Sequence, residues 1–177
     1  MRRLLFQALV NSPLTEPLDH EHDAELAELA SHLNLAARAR LGRSLAIREI
    51  DAGSCNGCEL EITALSNAFY DLERFGLRFV ASPRHADVLL VTGPVTRNMR
   101  DALRATYDAI PHPKWVVAAG DCAIDGGCFA GSFAIVGAAS QVIPVDLAIP
   151  GCPPSPSSIL RSLVSLMTSP VRSGHNG

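Results

Sequence analysis

The fold and function of this chain depend on the stretch Asp51-Ala52-Gly53-Ser54-Cys55-Asn56-Gly57-Cys58-Glu59-Leu60-Glu61. A β-like run over residues 45–50 precedes it, and apolar residues at helical spacing follow it. Cys55 and Cys58 therefore lie on a turn from a strand into a helix. Gly57 lets the backbone bend around a bound object. Amide N–H groups at the start of a helix point toward negative charge.

The Cys-x-x-Cys pair alone fits three kinds of site: an iron–sulfur cluster, a thioredoxin-type redox pair, and one half of a zinc site. The remaining cysteines are Cys122, Cys128 and Cys152. Cys122 and Cys152 each follow an apolar run and lie in turns rich in glycine or proline, so their thiols point to the same sheet edge as the pair. Pro153 directly after a cysteine is also typical of ferredoxin-type sites. A zinc ribbon would show a second close pair, whereas separate single cysteines favour a cubane cluster held between loops.

Residues 45–168 alternate between strand-like and helix-like runs. This alternation implies an α/β fold with a mostly parallel sheet covered by helices on both faces. We expect strands at 45–50, 77–81, 88–92, 115–119 and 142–149, and helices at 58–72, 98–109 and 156–168. Ligands of such sheets collect at the carboxyl ends of the strands. No P-loop and no G-x-G-x-x-G motif occurs, so a nucleotide site is not supported.

Residues 20–41 predict an amphipathic helix, because apolar residues recur at i, i+3, i+4 and i+7. Acidic residues at its start and arginines at its end complement the helix dipole. We expect this helix to pack against another subunit or across the edge of the α/β domain. His20, His22 and His32 are interpreted as surface histidines rather than metal ligands.

The chain divides into an N-terminal extension over residues 1–44, an α/β domain over 45–168 and a flexible tail over 169–177. The apolar stretch after Arg2-Arg3 is too short for a signal peptide, and no run reaches the ~20 apolar residues that span a bilayer. Residues 1–19 are interpreted either as a frayed terminus or as a segment lying on a membrane partner. The net charge of -3 without a basic stripe argues against nucleic acid as a partner.

Five motifs in one order resemble the small subunit of the nickel–iron hydrogenases. They are Cys55-Asn56-Gly57-Cys58-Glu59, Ser82-Pro83-Arg84-His85-Ala86-Asp87, Thr92-Gly93-Pro94-Val95-Thr96, Gly120-Asp121-Cys122 with Gly126-Gly127, and Pro150-Gly151-Cys152-Pro153-Pro154. The chain is most similar to the short, membrane-associated, energy-converting type found in formate hydrogenlyase and hydrogenase-4 complexes. That type is homologous to the cluster-bearing subunit of respiratory complex I.

The resemblance implies a flavodoxin-like fold and one 4Fe-4S cluster held by Cys55, Cys58, Cys122 and Cys152. It makes the chain an electron-transfer subunit of an oxidoreductase, without the catalytic metals. The implied partners are a large catalytic subunit, a ferredoxin-like subunit and membrane-arm subunits, with the chain peripheral on the cytoplasmic face of the inner membrane. The complex I branch has two adjacent cysteines at the first position, so Cys-x-x-Cys favours the hydrogenase side. A quinone-binding, complex-I-like module is the alternative, and a structural zinc-binding subunit is the alternative from another class.

Residues beside the implied ligands have interpretations of their own. Glu59 either interacts favourably with the dipole at the start of the helix or, by the resemblance, serves as a proton relay or as a contact of the large subunit. Asp121 and Asp125 are expected to cap loops. Cys128 has no ligand counterpart in the family and is interpreted as an ordinary buried thiol. The loops at this edge carry few charges, so we expect an apolar surface that contacts partner proteins.

Overall fold

A computed structural model describes residues 20–169, with side chains from residue 24 onward. The interpretations of residues 1–19, of the tail beyond Ser169, and of the His20 and His22 side chains lie outside the described residues. His32 is exposed, as expected for a surface histidine. In the described part of the chain, no helix is both long and apolar enough to cross a bilayer.

Helices and strands alternate along the described chain. The helices are α1 His20–Leu41, α2 Gly57–Ala64, α3 Arg100–Ala109, α4 Asp121–Asp125 and α5 Pro156–Thr168. The strands are β1 Ala46–Asp51, β2 Arg78–Phe79, β3 Val88–Thr92, β4 Val95–Thr96, β5 Trp115–Ala119, β6 Ile135–Gly137 and β7 Leu147–Ile149. Single turns of 3-10 helix lie at Leu72–Phe75, Pro83–His85, Gly127–Phe129 and Ala139–Gln141.

Five strands form one parallel sheet in the order β2-β1-β3-β5-β7. When these five strands alone are numbered in chain order, the order is 2-1-3-4-5, which is that of the flavodoxin-like fold. In that fold the ligand site lies at the carboxyl ends, near the junction of the first and third strands. The α/β prediction is therefore confirmed. Strands β4 and β6 form a separate antiparallel pair beside the carboxyl end of β3.

Apolar side chains cover both faces of the sheet. Along β3, Val88 and Leu90 face the cluster of side chains that includes α1, α2 and α5. Leu89 and Val91 face the opposite cluster, which includes α3 and α4. Every residue of β3 is buried, as expected for a central parallel strand covered on both sides.

Helix α1 packs on the same face of the sheet as α2 and α5. Its apolar stripe, Leu26, Ala30, Leu33 and Ala37, is buried in the same core as the sheet. The Arg40 guanidinium donates hydrogen bonds to the carbonyl oxygens of the last turn of α5. The sequence led us to expect this helix to pack against another subunit or against the α/β domain. The described structure shows the contact with the domain.

Three of the expected elements are shorter than the sequence pattern indicates. The run 142–149 forms a strand only from Leu147, because Pro144 lacks an N–H group and the Asp146 carboxylate accepts the β5 amide of Val116 at 2.8 Å. Helix α2 ends at Ala64, since the Asn67 side chain accepts two backbone amides that a continuing helix would use. The strand expected at 77–81 leaves the sheet after Phe79.

Candidate metal centre

The turn after β1 holds Cys55 in a fixed backbone conformation. The Asp51 carboxylate accepts hydrogen bonds from the amides of Gly53 and Ser54 at 2.7 and 2.6 Å. The Ser54 hydroxyl accepts the Asn56 amide at 3.0 Å. Asn56 has a left-handed φ of 71° and is the N-cap of α2, whose second residue is Cys58. The two cysteines thus lie on either side of a sharp bend.

The loop after β3 lies against this turn. A Cβ atom on Gly93 would stand 2.5 Å from the Ser54 nitrogen, so only glycine permits this approach. The amide of Ala52 donates to the Thr92 carbonyl at 2.9 Å, and the amide of Thr96 donates to the Ala52 carbonyl at 2.8 Å. The Cys55 turn therefore sits at the carboxyl ends of β1 and β3.

Reciprocal hydrogen bonds join the loop of Cys122 to the loop of Cys152. The Asp121 amide donates to the Gly151 carbonyl at 2.9 Å, and the Gly151 amide donates to the Asp121 carboxylate at 2.8 Å. Asp121 is therefore a loop-capping residue, as the sequence predicts. The peptide bond between Cys152 and Pro153 is cis.

Glycines without a Cβ atom allow the loops to close around the sulfur atoms. A Cβ on Gly120, at the end of β5, would stand 2.5 Å from Cys58 Sγ and 3.4 Å from the Gly151 oxygen. A Cβ on Gly57 would be 3.6 Å from Cys55 Sγ and 4.0 Å from the Pro153 ring. The loops that carry all four cysteines of the implied ligand set therefore meet at one edge of the sheet.

The thiols influence one another electrostatically. The pKa of Cys58 is raised to about 12, first by burial and then by the negative charge of Glu59, Cys122, Cys55 and Cys152. Without a cation, these groups therefore favour the protonated state of Cys58. Binding of iron replaces such protons, because a coordinating thiol is deprotonated.

The donor set fits a polynuclear cluster. Two of its thiols, Cys58 and Cys122, are buried, and two, Cys55 and Cys152, are exposed. Among the described residues, no three His, Cys, Asp or Glu side chains are arranged to hold a single metal ion. A cubane does not require that arrangement, since each thiolate binds a different iron atom and the thiols stay farther apart.

Cys128 corrects one expectation. The sequence interpretation made it an ordinary buried thiol, whereas its side chain is exposed. It also lies near Cys122: burial raises the pKa of Cys122, and the negative charge of Cys128 raises that pKa further. No sequence signal indicates this proximity, because the six-residue spacing matches no ligand motif.

Two charged side chains, one on β1 and one directly after Cys58, have buried polar atoms without a hydrogen-bond partner in the described part of the chain. Among the described residues they are Arg48 Nε and both carboxylate oxygens of Glu59. Burial raises the pKa of the neighbouring Glu49, and the charges of Glu59 and Asp51 add to this shift. The sequence signal for this group is the charged pair Arg48-Glu49 between Ile47 and Ile50 of a parallel strand, and our sequence interpretation missed it.

A cavity of about 320 Å³ opens where β2 leaves the edge of β1. Its polar lining comes from Arg48, Glu49, Thr63 and Ser66, and its apolar lining from Ile62 and the segment 79–81. Because Glu49 interacts with Glu59, the cavity adjoins the first turn of α2.

Large apolar side chains are exposed near the cysteine loops. Leu60 is 63% exposed two residues after Cys58, and Phe133 is 87% exposed beyond the loop of Cys122. Phe129, next to Cys128, is 39% exposed. Apolar groups of this size mark protein contacts when they lie together on one side of a molecule.

The fold gives the class of protein first: a flavodoxin-like α/β protein with four cysteine loops grouped at the carboxyl ends of its strands. Comparison with known proteins defines the family. Residues 55–166 match the family described as NADH ubiquinone oxidoreductase, 20 kDa subunit. The chain belongs to this family and is an oxidoreductase subunit, which confirms the resemblance found in the motifs.

Relatives of this chain include subunits of hydrogenase complexes. It is 46% identical over 124 residues to the probable membrane-bound hydrogenase subunit mbhJ of Pyrococcus furiosus, covering 70% of this chain and 74% of that protein. It is 44% identical over 121 residues to formate hydrogenlyase subunit 7 of Escherichia coli, covering 68% of this chain and 48%, or about half, of that protein. A solved chain of the membrane-bound sulfane sulfur reductase, an archaeal respiratory membrane complex, is similar with a TM-score of 0.63 and 36% identity, over 77% of this chain and 73% of that one.

Proposed function

We propose that this chain binds one 4Fe-4S cluster through Cys55, Cys58, Cys122 and Cys152 and transfers electrons for a large catalytic subunit. The observation that carries the proposal is the convergence of the four cysteine loops, with glycine where a Cβ would collide with Cys58 Sγ. The large subunit performs the bond-making chemistry of a membrane-associated, hydrogenase-like complex. A ferredoxin-like subunit and membrane-arm subunits complete the assembly on the cytoplasmic face of the membrane.

The bound cluster supplies one-electron storage. The residues of this chain hold it and control its surroundings. Cys58 and Cys122, both buried, bind it on the protein side, where water is excluded. Cys55 and Cys152, both exposed, would hold it at the surface of this chain. Burial and hydrogen bonds to the sulfur atoms then set its reduction potential.

The large subunit covers the cysteine edge. Leu60, Phe129 and Phe133 offer it apolar contacts. The Glu59 carboxylate is buried without a hydrogen-bond partner among the described residues, and desolvating a carboxylate in this way is unfavourable. We propose that a donor on the large subunit pairs with Glu59. This proposal makes Glu59 an interface residue. The proton relay stays an alternative prediction for the same residue.

The test is electron paramagnetic resonance of the dithionite-reduced complex, purified anaerobically through a tag on this chain. Cys122→Ala should remove one cluster signal and the corresponding iron. Cys128→Ser, the matched control six residues away, should keep both. An unchanged spectrum in Cys122→Ala would contradict the ligand assignment. Produced without its partners, the chain should aggregate or lose iron, and a monodisperse, cluster-loaded monomer in light scattering would argue against the interface.

The cavity beside β1 favours a second candidate, a complex-I-like module that reduces quinone. Its apolar wall at Phe79 and Val80 suits a planar ring, and the Arg48 guanidinium can donate to a quinone oxygen. A short-chain ubiquinone should then be reduced by the complex, and Arg48→Met should raise the KM several-fold. Equal quinone kinetics in Arg48→Met would exclude the cavity as the site.

A further inference from the structure

We propose that an extended segment of the large catalytic subunit adds as a strand to the edge of β1 beyond Ile47 and fills the cavity beside it. The added strand pairs with the backbone of Glu49 and presents an acidic side chain to Arg48. The inference rests on the proposed function, since it takes its partner from the hydrogenase-like complex. It makes the cavity a protein-binding site rather than a quinone site.

The edge of β1 is paired along only part of its length. Strand β2 pairs with Ala46 and Ile47, and the Val80 amide donates to the Ile47 carbonyl at 2.8 Å. Backbone groups of every second residue point to the same edge of a strand, so the N–H and C=O groups of Glu49 point to this side as well. Within residues 20–169, no backbone hydrogen bond reaches these two groups of Glu49.

Unpaired backbone groups at a sheet edge are a template for a further strand, because each added residue pair forms the hydrogen bonds that the edge lacks. The cavity provides the room for such a strand. It opens where the chain leaves β1 after Phe79, and its walls come from β1, from the region of α2 and from the segment 79–81.

The edge carries opposite charges on its two faces. Successive residues of a strand point to opposite faces of a sheet. Ile47 packs in the core that includes α2, and Ile50 packs in the opposite core, so Glu49 lies on the α2 face and Arg48 on the other. Arg48 Nε is buried and has no hydrogen-bond partner in the described part of the chain.

These charges define the occupant. A segment that lies along this edge places one side chain beside Arg48 and the next beside Glu49. Complementary charge requires an acidic residue at the first position and a basic residue at the second. The large subunit is the source, because β1 continues directly into the Cys55 turn, at the edge that we propose this subunit covers.

The experiment is site-specific photocrosslinking in the purified complex, with benzoylphenylalanine in place of Ala81, an exposed residue that lines the cavity. Mass spectrometry should identify one segment of the large subunit with adjacent acidic and basic residues. The same probe at Asp101, exposed on α3, is the matched control and should not label that segment. A crosslink to a different subunit, or none from Ala81, would overturn the inference. Loss of the crosslink on addition of short-chain ubiquinone would assign the cavity to quinone instead.

Hydrogen exchange of the same complex tests the backbone pairing. The Glu49 amide should exchange slowly, because the added strand accepts its hydrogen bond. Rapid exchange of this amide in the intact complex would show that the edge stays unpaired.

Arg48→Met tests the charge pair, because it keeps an apolar stem and removes the guanidinium. The affinity of the large subunit should fall by about tenfold or more, measured by native electrophoresis at decreasing concentration. Arg78→Met, opposite Ala46 at the start of β2, is the control and should leave the affinity unchanged. Equal affinities in the two variants, with an intact cluster signal, would refute the inference alone. A wild-type complex without a cluster on this chain would refute the proposed function itself.

Discussion

Two buried carboxylates stand at opposite ends of the same sheet. Asp87, before β3, is 2% exposed and accepts hydrogen bonds from the Ala46 amide at 3.0 Å and from the Arg43 guanidinium at 2.9 Å. Glu59, at the carboxyl ends of the strands, has both oxygens buried and no hydrogen-bond partner within the described chain.

The difference shows that the buried carboxylate at the amino ends is satisfied within the chain, whereas the one at the carboxyl ends has no partner among the described residues. At the amino ends, Asp87 and Asp146 hold neighbouring strands together through backbone amides. At the carboxyl ends, the Glu59 oxygens have no partner among the described residues, and the cysteines are those that we propose bind a cluster. Substitutions at the amino ends should therefore change stability, and substitutions at the carboxyl ends should change iron content or assembly.

The largest expected effect comes from Gly120→Ala. The new Cβ would stand 2.5 Å from Cys58 Sγ, so we expect the complex to lose most of the iron of this cluster. Gly131→Ala is the matched control, because Gly131 has a similar φ of +81° and nothing within 4 Å of the added atom. Both variants place a side chain at a positive φ, which costs on the order of 1–3 kcal/mol. Equal iron content in the two would show that the space beside Cys58 is unimportant.

The next effect is on stability. Asp87→Ala removes the carboxylate that joins β1 to the Arg43 side chain and leaves the buried Ala46 amide unpaired. We expect a loss of about 2–4 kcal/mol in the free energy of unfolding, measured by chemical denaturation. Asp101→Ala, which removes an exposed carboxylate paired with Arg100, should cost no more than about 0.5 kcal/mol. Similar losses in the two variants would contradict the structural role of Asp87.

In contrast to Asp87→Ala, Glu59→Gln should weaken assembly with the large subunit without lowering stability. It removes a buried charge without a partner among the described residues, so the thermal midpoint of the separated, iron-free chain should stay unchanged or rise. Because the large subunit would lose a charged hydrogen-bond acceptor, we expect its affinity to fall by about tenfold, or ~1.4 kcal/mol. Native electrophoresis at decreasing concentration would measure this. Unchanged affinity would show that Glu59 is not an interface residue.

The smallest effect is pH dependence from Glu49. Burial raises its pKa above 4.5, so the folded chain binds more protons than the unfolded chain and stability falls as pH increases above 4.5. Glu49→Gln should therefore raise the thermal midpoint at about pH 7 and change it little at about pH 4. A midpoint difference that is the same at both pH values would contradict the raised pKa.

Sequence reasoning predicted the parts of the fold that depend on apolar runs and cysteine spacing. Strands β3 and β5 have the expected bounds, because five consecutive apolar or small residues can be buried only in a covered parallel strand. The end of α2 was not predictable from periodicity, since the Asn67 side chain ends it by competing for backbone amides.

The candidate site, like the fold, was predictable from the sequence only in part. The grouping of the cysteine loops follows from strand ends that meet at one edge of a parallel sheet. The proximity of Cys128 and Cys122 and the isolation of the Glu59 carboxylate depend on how loops from distant parts of the chain pack. Neither follows from residue spacing, and each required the three-dimensional structure.

The central claim is that four particular cysteines hold one cubane cluster. Native mass spectrometry of this chain, released anaerobically from the purified complex, tests it most directly. We predict the added mass of one 4Fe-4S cluster in wild type and Cys128→Ser, and its absence after alanine substitution of Cys55, Cys58, Cys122 or Cys152. A bare chain, a single zinc ion, or a cluster that survives all four substitutions would contradict the claim.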